Sequence, residues 1–180
     1  MISPEMLEPR RLASVAIVAE RLTVSRAVAN RLVAAEVGGP SFRGKTDLMM
    51  AEADLAVLAA RQHEWADTTV PALNVRVAPA RWCADQNRFL GWHARLPEDL
   101  LPESIGKWWN VRDAEQVKGA AFVAAIGGWV VHVARVTDVH TDRGQRAFDF
   151  GPATDEQLAA YAGRRIPPVP GPAILRFGLD

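Results

Sequence analysis

Gly127-Gly128 sits between two apolar runs, Phe122–Ile126 and Trp129–Val136, and constrains the fold more than any other stretch of the chain. Two glycines accept positive φ at low cost, so the pair predicts a two-residue turn joining antiparallel strands. Asp142-Arg143-Gly144 marks a second reversal before Ala147-Phe148-Asp149-Phe150, and Gly151-Pro152 closes what reads as a three-stranded meander. Upstream, Leu73, Val75 and Val77 alternate with Asn74 and Arg76, which is strand periodicity. Arg88–Arg95 reads as another strand, and Glu98–Trp109 contains a short helix beginning near Pro102. Thr154 with Gln157 three residues on has the pattern of a capping box, Gly163 ends that helix, and Ile174–Phe177 is a last strand. Residues 67–180 are therefore expected to form a strand-rich α+β domain, either compact or a small, partly open barrel. Residues 62–72, with Asp67-Thr68-Thr69 and Pro71, read as the linker that precedes it.

Residues 1–66 carry a different period. Leu12, Val15, Ala16, Ala19 and Leu22 recur at helical spacing, so Arg11–Leu22 is predicted as an amphipathic helix. Thr23-Val24-Ser25 interrupts it, and the Ser25 hydroxyl is placed to cap a second helix over Arg26–Glu36. Two short helices joined by so few residues have the spacing of a helix-turn-helix. Gly38-Gly39-Pro40 stops the second helix, a hairpin with Gly44 at its tip follows, and Ala51–Arg61 forms a third helix with Leu55 and Leu58 at core spacing. A β-branched residue at Thr23 is an awkward occupant of a tight turn.

Ala19-Glu20-Arg21-Leu22, Val24-Ser25-Arg26, Asn30-Arg31-Leu32, Arg43-Gly44-Lys45 and Glu52-Ala53-Asp54-Leu55 occur in an order that resembles the winged helix-turn-helix of the excisionase and MerR-type families. The resemblance implies a DNA-binding domain whose second helix enters the major groove. Arg26 and Arg31 would then bond guanine O6 and N7, Asn30 adenine N6 and N7, and Ser25 with its helix N-terminus a phosphate. Arg43 and Lys45 would touch backbone or minor groove from the wing. Thr23 stands where that pattern usually has glycine, and Ala29 where it usually has a larger aliphatic. From Trp108 to Phe177 the layout is loosely similar to the PUA-like small barrels, which bind RNA or modified bases.

Charge supports the first expectation locally rather than globally. The 180 residues carry no net charge, yet between residues 21 and 45 Arg21, Arg26, Arg31, Arg43 and Lys45 face a single carboxylate, Glu36. Such a segment can present a phosphate-facing stripe on an otherwise neutral protein. Five of the six tryptophans lie between Trp82 and Trp129, and Trp92, Trp108 and Trp109 are candidates for stacking a base or planar ligand.

No enzyme chemistry emerges. Cys83 and His93 could form a nucleophile pair only if the fold joins them, which nothing in the sequence requires. His132 lies between apolar neighbours as a buried, hydrogen-bonded histidine would, and Asp138, His140, Asp142 and Asp149 match no metal-loop spacing. No catalytic residue, metal or cofactor is expected. The lone Cys83, the absence of a long apolar run, and the charged Glu5, Glu8, Arg10 and Arg11 in place of a leader point to a reduced, cytoplasmic protein with no membrane segment. The expected partner is double-stranded DNA, with a homodimer or protein contact made through residues 67–180. The alternatives are a protein-interaction module and a base- or nucleotide-binding reader.

Overall fold

Ser14 decides how the described chain begins. In the computed structural model, which describes residues 11–179, its hydroxyl accepts a hydrogen bond from the Ile17 N–H at 3.5 Å and so caps α1, Val15–Arg21. The expected helical start at Arg11 is thereby corrected. Leu12–Ser14 is instead a strand, β1, whose backbone pairs with Met49–Ala51. Glu5, Glu8 and Arg10, which argued against a leader, lie outside the described residues.

The turn after α1 places Thr23 at φ +51°, a left-handed conformation that penalises a β-branched side chain. Val24 N–H bonds the Ala19 carbonyl at 3.0 Å and fixes the turn nonetheless. Thr23→Gly is therefore expected to raise the unfolding free energy by about 0.5–1 kcal/mol in urea titrations, the relief of strain exceeding the glycine's entropy. Ser25 caps α2, Arg26–Ala34, accepting from Val28 N–H at 3.3 Å as expected. The helix ends before Glu36, which takes φ +59°. Strands β2 (Ser41–Arg43) and β3 (Leu48–Ala51) form the hairpin, giving sheet order β1-β3-β2, and α3 (Glu52–Ala60) follows.

The larger sheet holds β4 (Ala72–Arg76), β7 (Ala121–Ile126), β8 (Trp129–Asp142), β9 (Gln145–Gly151) and β10 (Ile174–Phe177) in the order β10-β4-β7-β8-β9. The meander β7-β8-β9 and the final strand fall where the sequence placed them. Gly127 and Gly128 both have positive φ, as the two-residue turn requires. Thr154 and Gln157 exchange bonds at 3.2 and 3.0 Å at the start of α5, Asp155–Tyr161. The class is α+β as expected, and the sheet does not close into a barrel: β9 and β10 are its two opposite edges and do not pair with each other.

Between β4 and β7 lie a two-stranded sheet, β5 (Arg81–Cys83) with β6 (Arg88–Leu90), and α4, Leu101–Ile105. The strand expected over Arg88–Arg95 stops at Leu90. Gly91 turns the chain at φ +98° and approaches Ala78 so closely that a Cβ would lie 2.4 Å from its carbonyl oxygen.

Alternation then divides the large sheet's burial. Leu73, Val75, Phe122, Ala124 and Ile126 share a core with Val18, Leu32, Val33, Leu55 and Leu58 of the front helices. Ala72, Ala121, Val123 and Ala125 pack on the other side with Ala160 and Tyr161 of α5. Within the segment expected as a linker, Ala66 is buried and its N–H bonds the Arg165 carbonyl at 2.9 Å. At the junction, Gly127 lets α2 close on the β7-β8 turn, because a Cβ there would stand 2.5 Å from the Val28 side chain.

Candidate nucleic-acid interface

Helix α2 has one buried and one open side. Ala29, Leu32 and Val33 are buried, Val28 is half-buried, and Arg26, Ala27, Asn30 and Arg31 are exposed. Alanine between the polar groups leaves their reach unobstructed on the outward face. Arg43 and Lys45, also exposed, stand on the hairpin. The hairpin touches the start of α2 through an ion pair, Arg26 to Asp47 at 3.5 Å with both side chains substantially solvated. Asp47 was not anticipated from the sequence. It places one carboxylate among the cations that a phosphate backbone would meet. Ser25 Oγ already accepts a bond from Val28, which leaves its O–H free to donate outward.

A second concave surface lies on the larger sheet's side. Trp108 and Trp109 line a cleft of about 370 Å³ together with Arg76, Arg81, Arg88 and Lys107, and no carboxylate contributes to its lining. Trp109 is fixed by its Nε1–H, which donates to the Ile105 carbonyl at 2.6 Å. Arg88 is buried and spends its guanidinium on Gln86 Oε1 at 2.9 Å and the Glu103 carbonyl at 2.5 Å. Burial pulls its pKa below the usual arginine value, against the opposing charges of Glu103 and Cys83. Lys107 pairs with Glu103 at 2.9 Å, whereas Arg81 is exposed and makes no ion pair among the described residues. The third candidate tryptophan, Trp92, packs half-buried against the main core and is not part of this cleft. The cations of the cleft were missed in the sequence, where Arg81-Trp82 and Lys107-Trp108 as basic–aromatic neighbours were the available signal.

Among the remaining titratable candidates, His140, Asp149 and Asp138 have local partners. His140 Nε2 and Asp149 Oδ2 are 2.8 Å apart across β8 and β9, and this hydrogen bond raises the histidine pKa. Asp138 pairs with Lys118 at 2.7 Å. Among the described residues no three metal-ligating side chains cluster. His132 is half-buried, and desolvation lowers its pKa and favours the neutral ring. It makes no side-chain hydrogen bond among the described residues, so the expectation of a hydrogen-bonded histidine is corrected. Among those residues no helix is long and apolar enough to cross a membrane. Compared with protein-family models, curated proteins and solved structures, the chain finds no significant match.

Proposed function

We propose that this chain is a sequence-specific double-stranded DNA-binding protein, a transcriptional regulator or excisionase-like architectural factor built on a winged helix-turn-helix. One observation carries the reading: Arg26, Asn30 and Arg31 share the exposed side of α2, opposite the residues that bury it. Arginine forks suit guanine and asparagine suits adenine in the major groove. Arg43 and Lys45 on the adjoining hairpin supply sequence-independent phosphate contacts. A single helix reads only a few base pairs, so the protein acts as a dimer or in an array. A reduced cytoplasm suits the lone Cys83.

Selection of bound duplexes from random sequence, followed by gel shifts across a salt series, tests the proposal. A defined consensus is expected, with affinity falling steeply as salt rises because each phosphate contact releases counterions. No retarded band down to about 50 mM salt overturns it.

A second reading is favoured by the carboxylate-free cleft at Trp108 and Trp109, whose cations and aromatic walls suit a nucleotide base with its phosphate. On that reading the front helices deliver a base reader to nucleic acid.

A further inference from the structure

A second cleft of about 550 Å³, sharing Arg76, Val77 and Ala78 with the tryptophan cleft, opens where α2, β4 and the proline-rich segment 166–170 meet. No carboxylate lines it, and three arginines do: Arg31, Arg76 and Arg165. Two of these are already engaged. Arg76 donates to the Gly171 carbonyl at 3.1 Å and to the Val169 carbonyl, which holds the proline segment over β4 as a wall. The Arg165 guanidinium lies 4.1 Å from the Trp129 ring centre and donates through Nη1 to the Gln62 carbonyl at 3.1 Å, while its buried Nε–H has no partner among the described residues. Arg31 is exposed at the rim and has neither ion pair nor hydrogen bond among the described residues.

The lining carries a further unmatched group on β4. Asn74 lies within β4, is 1% exposed, and also lines the cleft. Its Nδ2 donates to the Val123 carbonyl at 3.0 Å, but its Oδ1 accepts no hydrogen bond among the described residues. Buried polar atoms ordinarily find a partner, and an asparagine in a sheet interior that faces a cavity offers an acceptor to whatever enters. Ala125, Ile166 and the proline rings make the rest of the surface apolar.

We propose that this cleft binds a small aromatic acid carrying a hydrogen-bond donor, with its acid group on Arg31, its N–H or O–H on Asn74 Oδ1, and its ring against Ala125 and the prolines. The chemistry follows from the three surfaces. A free guanidinium fork matches a carboxylate, an amide oxygen requires a donor, and a mostly apolar concave wall suits a flat ring. The regulatory consequence rests on the DNA-binding reading, because Arg31 serves both sites. A bound acid occupies the Arg31 fork and so weakens DNA binding, and by linkage DNA weakens the acid.

Heteronuclear NMR of the full chain, titrated with para-hydroxybenzoate and a hydroxynaphthoic acid, tests the site without DNA. Shifts are expected at the Asn74 side-chain amide and the Arg31 Nε–H. Benzoate and phenol, each lacking one polar group, should bind at least about tenfold more weakly. Arg31→Gln, a substitution at an exposed position, should weaken para-hydroxybenzoate by about the same factor, and Asn74→Asp should repel it. No shift with either acid at about 10 mM, well above a millimolar dissociation constant, overturns the proposal. So do shifts that persist undiminished in both variants. In gel shifts on the selected duplex, saturating acid should weaken wild-type binding by about tenfold. If the chain retards no duplex, the DNA reading fails, and the cleft is judged on the titrations alone.

Discussion

Replacing Arg31 with alanine is expected to weaken binding to the selected duplex by about tenfold to a hundredfold, with relaxed preference at one base pair. The magnitude is that of one lost bidentate base contact, roughly 1–3 kcal/mol. Arg26→Ala should cost less, because Arg26 gives up its Asp47 partner before it can bind a base, and part of the gain goes to breaking that pair. Asp47→Asn should accordingly tighten binding, since it frees Arg26 and removes a carboxylate beside the phosphates. Arg43→Ala and Lys45→Ala should weaken all sequences alike, each lowering the salt slope by about one contact. Competition gel shifts against single-base variants of the site separate these classes. If Arg26→Ala and Arg31→Ala together leave affinity within about threefold, base reading by α2 is excluded on this scale. Loss on Trp108→Ala with α2 variants unaffected would instead identify the tryptophan cleft as the nucleic-acid site.

The features legible in the sequence are those whose cause is local. Gly127-Gly128, Arg143-Gly144, the Thr154–Gln157 box and the Ser25 cap each act within a few residues, and each appears where the pattern put it. The misread features have distant causes. Leu12–Ser14 has helical periodicity in its apolar residues, but Met49–Ala51 supplies backbone partners some three dozen positions away and makes it a strand. Arg88–Arg95 loses its second half to the close approach of Gly91 and Ala78. The open sheet depends on β4 pairing parallel with β7 and on β10 returning to the far edge, neither of which the alternation in single strands can specify. The two clefts were invisible for the same reason. Arg31, Asn74 and Ile166 meet only because α2 docks on the β7-β8 turn, and Arg81 and Lys107 reach Trp108 through the folding-back of the β5-β6 pair.

Glu36 is where that docking is most exposed to mutation. Its backbone sits at φ +59°, where glycine is usual, and its side chain is almost wholly buried. The carboxylate accepts from Ser41 N–H at 3.0 Å and Ser41 Oγ at 3.1 Å, and from Arg95 at 2.6 and 2.8 Å. It thus ties the end of α2 to the hairpin and to the segment after β6, beside the bond from Ala94 N–H to the Ala35 carbonyl at 3.1 Å. Glu36→Gln is expected to cost about 2–3 kcal/mol, because the amide lacks the negative charge that faces the Arg95 guanidinium, and its Nε2 cannot accept, so at least one donor loses its acceptor. Glu36→Gly should cost about 1 kcal/mol less than Glu36→Ala, since only glycine recovers the strain of the left-handed backbone. The pH dependence has a definite sign. Burial alone would raise the Glu36 pKa, but the Ser41 backbone N–H, the Arg95 and Ser41 side chains and the Arg95 charge outweigh it and hold it below 4.5. The stabilisation is therefore complete above that ordinary value and is lost as pH falls through the lower folded one. Urea midpoints of wild type and Glu36→Gln should differ most near neutral pH and converge as pH falls below the ordinary carboxylate range. A gap that stays constant with pH would mean that the carboxylate's charge contributes nothing to holding α2 in place.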